Sequence, residues 1–207
     1  DEYRTLVTRA ATTPARKNLF EMKDGAVLLE TDAKERFHSV VAKLLFCTHR
    51  ARPDIQLPVS FLCTRVSKSD KTDEEKLVRT LQFLESTLDD DLVLSADSFE
   101  EYLTWVDASH AVHADMRGHT GGCQSLGQGC FHSKSLKQKL KSRSTTETEV
   151  NGASDYMPFT IFTKGFLSAQ GYNMKEGKFF QDNEAAEKLQ KNGRASSSQK
   201  TWHIDIR

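Results

Sequence analysis

The sequence contains no long apolar run and carries no net charge. None of its apolar stretches approaches the ~18 residues that a membrane-spanning helix requires, and the first residues, DEYRTLV, lack the apolar core of a signal peptide. With 29 basic residues (Lys and Arg) against 29 acidic residues (Asp and Glu), the overall charge does not indicate a nucleic-acid-binding protein, so any such signal must be local. These absences predict an intracellular chain without a membrane segment.

Cysteine is also scarce. The sequence has four cysteines without the CxxC spacing of a redox or zinc motif, namely Cys47, Cys63, Cys123 and Cys130. The simplest interpretation is a reduced intracellular chain. Its 207 residues, with 37% hydrophobic and 28% charged residues, are typical of one or two small globular domains. The sequence begins at Asp1 rather than at a methionine, which favours a piece of a longer protein.

Apolar residues at helical spacing predict three helices in the first half of the chain. Residues 1–32 carry little signal, the first helix starts at Ala33, and Pro53 ends it. Thr72 and Glu75 predict a capping box for the third helix. The buried positions predicted for the three helices are, in order, Phe37, Val40, Val41, Leu44 and Leu45; Ile55, Val59, Leu62 and Val66; and Leu77, Leu81, Leu84 and Leu88.

The second half alternates between strand and helix patterns. After a possible short strand at Leu92–Leu94, three strands with Gly-containing turns predict an antiparallel meander, at Tyr102–Ala108, Gly122–Leu126 and Cys130–Leu136. A capping box of Ser144 and Glu147 then opens a long helix, in which Pro158 predicts a kink. The apolar face predicted for this helix is Val150, Ala153, Met157 and Ile161. A strand at Lys178–Asp182 and a helix at Asn183–Asn192 follow.

Three carboxylates stand at comparable places in these elements. Asp107 ends an apolar strand, Glu149 lies in the first turns of the long helix, and Asp182 ends the next strand. A strand-end aspartate alone is weak evidence, because it equally caps turns. Clustered carboxylates suit phosphodiester hydrolysis, however, because divalent metals stabilise charge on the attacking and leaving oxygens, and Mg²⁺ prefers oxygen ligands.

The order of these carboxylates, together with eight sequence motifs, resembles one family. From Phe37 to Arg207 the chain looks like the C-terminal part of a copia-type retrotransposon Pol polyprotein, from the end of the reverse transcriptase into ribonuclease H. The motifs are AKLLFCTHRARPDIQ (42–56), FLCTRV (61–66), WVDASHAVHADMRGHTGG (105–122), STTETEV (144–150), FLSAQGY (166–172), QDNEAA (181–186), KNGRASSS (191–198) and HIDIR (203–207).

The resemblance implies a fold and a division of the chain. The fold class is α/β: a ribonuclease H-like mixed sheet in the order βββαβα, with its last strand and helix missing, covers residues 99–207. A small helical domain at residues 33–98 is the thumb-like end of the reverse transcriptase, and residues 1–32 are a poorly defined leader. The paired aspartates of the polymerase would lie upstream, so this chain is not itself a polymerase.

The resemblance also implies an activity, the hydrolysis of the RNA strand of RNA–DNA hybrids. Asp107 would bridge two Mg²⁺ ions, with Mn²⁺ as a substitute, while Glu149 and Asp182 would complete the shell of one ion. The family's fourth carboxylate lies beyond Arg207, and Asp205 is not counted as its replacement, so we expect impaired cleavage. The expected partners are the hybrid and the remainder of the polyprotein, with no small-molecule substrate. The expected location is a cytoplasmic virus-like particle or the nucleus.

A basic run precedes the long helix and is a candidate nucleic-acid contact: Lys134, Lys137, Lys139, Lys141 and Arg143. If the third strand continued through this run, its last four residues would share one face toward a phosphate backbone. A solvated loop is an equal alternative. Backbone contacts from Arg194, Lys200 and Arg207 are also conceivable, although a frayed tail is the better interpretation.

Three other interpretations fit parts of the sequence. A zinc site would draw on His110, His113, His119, Cys123, Cys130 and His132, but their spacing matches no structural zinc pattern. Trp105 and Trp202 are conceivable base-stacking platforms, although the apolar strand around Trp105 favours a core position. The remaining alternative is a non-catalytic relic of a retroelement that at most binds nucleic acid.

Overall fold

The computed structural model describes residues 3–175 and 177–193. The chain divides into two compact units, Asp1–Leu92 and Val93–Arg207. Several residues considered above lie outside the described residues, namely Arg194, Lys200, Trp202, Asp205 and Arg207. In the part of the chain that the structure describes, no helix combines the length and apolar character needed to cross a membrane.

The first unit is helical, as the apolar spacing predicts. It contains α1 (Thr31–Thr48), a short 3₁₀ turn (Pro53–Ile55), α2 (Gln56–Cys63) and α3 (Lys71–Ser86). Its core combines predicted positions from all three helices, Phe37, Val41, Leu44, Ile55, Val59, Leu62 and Leu77, with leader residues Tyr3, Leu19 and Leu29. The leader, to which sequence patterns assigned no structure, is therefore part of this core.

Two details of α3 differ from the sequence-based prediction. Its capping box is made by Asp70 and Asp73, not by Thr72 and Glu75: Asp70 accepts from the Asp73 backbone N–H, and Asp73 accepts from that of Asp70. An aspartate oxygen caps a helix start well, and Arg65 contacts both carboxylates, which holds them in place. Leu88 lies beyond the end of α3 and is 67% exposed, so it is not a core residue.

The second unit contains a four-stranded mixed sheet. Its strands are β1 (Leu103–Ser109), β2 (His119–Ser125), β3 (His132–Lys137) and β4 (Lys178–Phe180), in the order β3-β2-β1-β4. The pairs β1–β2 and β2–β3 are antiparallel, and β1–β4 is parallel. The predicted meander and mixed sheet are therefore confirmed. Leu92–Leu94 is not a strand; the hydrogen bonds to the β2–β3 connection come from the backbone N–H groups of Ser95 and Asp97, further along the chain.

The helix α4 (Thr145–Ala169) packs against β1 and β2, and α5 (Glu184–Asn192) packs against α4. Ser144 caps α4 as predicted by accepting from the Glu147 backbone N–H, and the Glu147 carboxylate accepts from the Arg143 backbone N–H. The helix continues through Pro158.

The buried face of α4 differs from the predicted apolar face. The residues buried on it are Thr148, Glu149, Gly152, Ala153, Tyr156, Thr160 and Thr163. Of the predicted face, Met157 is 38% and Ile161 is 66% exposed. The reason is steric: Gly152 lets α4 approach the sheet, because a Cβ there would lie 3.0 Å from Cβ of Ala108, and the ring of Tyr156 packs over Gly122.

Candidate metal centre

Asp107 and Asp182 reach the same end of the sheet through the parallel pairing of β1 with β4. The last paired residues are Trp105 and Phe180, whose rings stack with centroids 5.3 Å apart. Each aspartate lies two residues beyond its paired aromatic residue, so the parallel pairing brings both to the same end of the sheet. The strand β4 ends at Phe180, two residues earlier than predicted, so Asp182 stands in the connection to α5.

Glu149 completes the cluster from the helix. It is the fifth residue of α4 and is 6% exposed, whereas both aspartates are exposed. One ligand atom from each of Asp107, Glu149 and Asp182 lies within 4.8 Å of the other two. The structure therefore brings together all three carboxylates that the sequence singled out.

Burial and two neighbouring negative charges destabilise the ionised form of the Glu149 carboxyl. Burial, then the charges of Asp107 and Asp182, raise the pKa of Glu149 to about 7, against the opposing hydrogen bonds from Gln181 and from the Ala108 backbone. A divalent cation would relieve this repulsion and hold all three groups ionised. The donor set consists of carboxylate oxygens only, which fits Mg²⁺ or Mn²⁺.

Two glutamines that the sequence did not single out border the cluster. Gln181 donates from Nε2 to the Glu149 backbone oxygen at 3.1 Å and to its Oε2 at 3.4 Å. Gln190 of α5 donates from Nε2 to Oε1 of Gln181 at 3.0 Å. Gln181 is the first residue of the QDNEAA motif (181–186), but the sequence gives it no role because its contact with Glu149 joins elements 32 residues apart. No local pattern marks Gln190.

The predicted basic run does not form one face. β3 ends at Lys137, so strand alternation does not extend to the later residues. Lys137 pairs with Asp115 at 2.7 Å, and Nζ of Lys134 lies 4.9 Å from the centroid of the Phe159 ring. Lys139, Lys141 and Arg143 are exposed just before α4.

The six residues of the zinc interpretation do not converge. Nε2 of His113 lies 3.0 Å from Nδ1 of His119, whose Nε2 contacts Ser135, while His110 contacts Thr148. Burial lowers the pKa of His113 and of His119 to about 4. Across the described residues, the acidic cluster alone gathers three or more metal-ligating side chains.

Trp105 departs from its predicted core position. Strand alternation places Thr104, Val106 and Ala108 on the buried face of β1, and Trp105 is 38% exposed on the other face. It packs on Phe180, which is 42% exposed. The apolar character of this strand therefore reflects aromatic pairing on an open face as well as burial under α4.

Comparisons with known proteins connect the chain to a transposon. It is 34% identical over 122 residues to a protein of Saccharomyces cerevisiae named for transposon Ty5-1; the match covers 58% of this chain and 39% of that protein. It is also 31% identical over 114 residues to an uncharacterized mitochondrial protein of Arabidopsis thaliana; this match covers 55% of this chain and 47% of that protein. The chain thus spans less than half the length of these relatives. No protein-family model matches the chain, and no solved structure matches it.

Proposed function

We propose that the chain is part of a retroelement polyprotein and that its second unit is a ribonuclease H-like domain. The observation that carries this proposal is the convergence of Asp107, Glu149 and Asp182, from a strand, a helix and the end of a parallel strand. The similarity to the Ty5-1 transposon protein supports the retroelement origin. The first unit is proposed to be the helical end of the reverse transcriptase, by resemblance alone.

Asp107, Glu149 and Asp182 would hold Mg²⁺, which supplies charge stabilisation at the attacking and leaving oxygens of a phosphodiester. Each residue has a distinct task in this site. The exposed carboxylates of Asp107 and Asp182 leave the site open to a nucleic-acid backbone. The buried Glu149 is held by hydrogen bonds from two sides and anchors the cluster to α4.

The proposed substrate is the RNA strand of an RNA–DNA hybrid, recognised by groove shape and 2′-hydroxyl groups. Lys139, Lys141 and Arg143 are exposed directly before the N-terminus of α4. Backbone N–H groups and the helix dipole favour phosphate there. These side chains are proposed to contact the backbone, whereas Lys137 is engaged by Asp115.

A non-catalytic retroelement relic that binds nucleic acid is the second candidate. It is favoured by the exposed basic side chains of Lys139, Lys141 and Arg143, which would contact a nucleic-acid backbone with or without cleavage. For the 207-residue chain as an enzyme, three carboxylates converge within the described residues where the family resemblance implies four. Because small misplacement of reacting groups lowers rates by about 100-fold, weak cleavage, larger with Mn²⁺ than with Mg²⁺, is the result expected of it.

The test combines calorimetry and cleavage. Wild type should bind Mn²⁺, Asp107→Asn should bind it at least about 10-fold more weakly because a charged ligand is lost, and the exposed control Asp89→Asn should match wild type. Cleavage of an end-labelled RNA–DNA hybrid, with Asp182→Asn as the inactive control, then distinguishes the enzyme from the non-catalytic relic. Metal binding with hybrid cleavage supports the enzyme, metal binding without cleavage supports the relic, and equal affinity in wild type and Asp107→Asn removes the metal site.

A further inference from the structure

We propose that Gln181 is a positioning residue of the metal centre and that Gln190 fixes the orientation of its amide. This inference rests on the proposed function, because Glu149 acts as a ligand only if the cluster takes a metal ion. It adds two residues that neither the sequence motifs nor the carboxylate pattern assign to the site. Both residues act through Glu149 rather than on the substrate.

The orientation of the Gln181 amide follows from its two partners. The backbone oxygen of Glu149 only accepts hydrogen bonds, so the group facing it at 3.1 Å must be the NH₂ end of Gln181. The carbonyl end, Oε1, then faces Gln190, whose Nε2 donates to it at 3.0 Å. A flipped Gln181 amide would place two acceptors against each other at the Glu149 backbone oxygen, and it would lose the Gln190 contact unless the Gln190 amide also turned.

The same NH₂ group lies 3.4 Å from Oε2 of Glu149. The carboxylate also accepts from the backbone N–H of Ala108 on β1. Glu149 is therefore held from the β4 side by Gln181 and from the β1 side by Ala108. Two fixed donors restrict the rotation of this carboxylate and aim it at the two aspartates.

Gln181 also joins two ligands in the chain. It stands between Phe180, the last residue of β4, and Asp182, so its side chain ties the backbone that carries Asp182 to the helix that carries Glu149. Gln190 extends this tie into α5, whose start is fixed because Asn183 accepts from the Ala186 N–H. The distance between the two ligands thus depends on a side-chain connection between β4, α4 and α5.

The experiment measures Mn²⁺ binding to the full chain by electron paramagnetic resonance, with Gln181→Met, Gln190→Met and the double variant. Methionine keeps the length of the side chain and removes both amide contacts. Gln181→Met should weaken Mn²⁺ binding about 10-fold, the effect typical of losing a hydrogen-bond partner behind a ligand, and should alter the spectrum of the bound ion. Gln190→Met should have a smaller effect, and the double variant should bind no more weakly than Gln181→Met, because Gln190 acts through Gln181.

Gln170→Met, at the exposed C-terminal end of α4, is the matched control and should bind Mn²⁺ as wild type does.

A folded Gln181→Met with unchanged affinity and spectrum would overturn this inference and leave the proposed function standing. If circular dichroism shows that Gln181→Met does not fold, Gln190→Met decides: weakened binding supports the inference, and unchanged binding overturns it. Additive effects in the double variant would overturn the role of Gln190. A wild-type chain that binds no Mn²⁺ would overturn the proposed metal centre together with this inference.

Discussion

Gly122 of β2 lies directly beneath the ring of Tyr156 of α4. A Cβ atom at position 122 would stand 2.5 Å from Cδ2 of that ring. Tyr156 is fully buried, and its hydroxyl is 2.8 Å from Nδ1 of His132, so the ring has no room to move aside. Together with the approach of Gly152 to Ala108, this contact allows α4 to pack closely on the sheet and so places Glu149 near β1.

Gly122→Ala should destabilise the second unit. Overpacking of a filled interior costs about 1–3 kcal/mol in the free energy of unfolding. The matched control is Gly165→Ala within α4, where a Cβ meets nothing within 4 Å. In that helix interior, alanine should stabilise by about 0.5–1 kcal/mol relative to glycine. Urea unfolding measures both variants, and equal stability of Gly122→Ala and wild type would show that α4 is free to shift.

Glu149→Gln should stabilise the metal-free protein at pH 8 and change it little near pH 4.5. The folded state holds the pKa of Glu149 at about 7, above the ordinary 4.5, so between these values it binds more protons than the unfolded state. Stability therefore falls as pH rises through this window, and the variant should regain up to about 3 kcal/mol above it.

The measurement for Glu149→Gln is urea unfolding in a chelator at several pH values, with the same pair of proteins in saturating Mg²⁺ as the comparison. In Mg²⁺, wild type should become more stable than Glu149→Gln, because the ion binds the ionised wild-type site more tightly than the site of the variant. A variant less stable than wild type at pH 8 without metal would contradict the electrostatic account.

Lys141→Gln should weaken binding to an RNA–DNA hybrid more than Lys137→Gln does. Lys141 is exposed, whereas Lys137 already pairs with Asp115 at 2.7 Å. Each lost phosphate contact lowers the slope of log K against log salt by about 0.7–0.9. Fluorescence anisotropy over a range of salt concentrations gives the slopes, and an unchanged slope for Lys141→Gln would identify this lysine as merely solvated.

Arg65→Met should strongly destabilise the first unit. Arg65 pairs with Asp73 at 2.9 Å and with Asp70 at 3.1 Å, and all three side chains are buried. Its removal leaves two buried carboxylates without their shared cation, a change that typically costs about 3–5 kcal/mol. Lys71→Gln, which removes an exposed pair with Glu74, should cost no more than about 1 kcal/mol. Similar unfolding midpoints for the two variants would show that the buried network contributes little.

Local patterns predicted most of the secondary structure. The spacing of Phe37, Val41 and Leu44 marks a helix that packs on one face, and Ser144 marks the start of α4. These signals succeed because helix periodicity and capping depend on residues within one or two turns. The predicted capping box of α3 was wrong, because Asp70 and Asp73 form the box instead and are held there by ion pairs with Arg65, a residue outside the helix.

The amino-acid sequence by itself determined the order of the elements and the placement of Asp107, Glu149 and Asp182 near their ends, since each depends on neighbours along the chain. Only the tertiary structure decided which face of α4 is buried, that Lys137 is engaged by Asp115, and that Gln181 and Gln190 border the cluster. These outcomes depend on distances between elements far apart in sequence. The raised pKa of Glu149 has the same origin, because burial and the two neighbouring charges arise only when β1, α4 and the end of β4 meet.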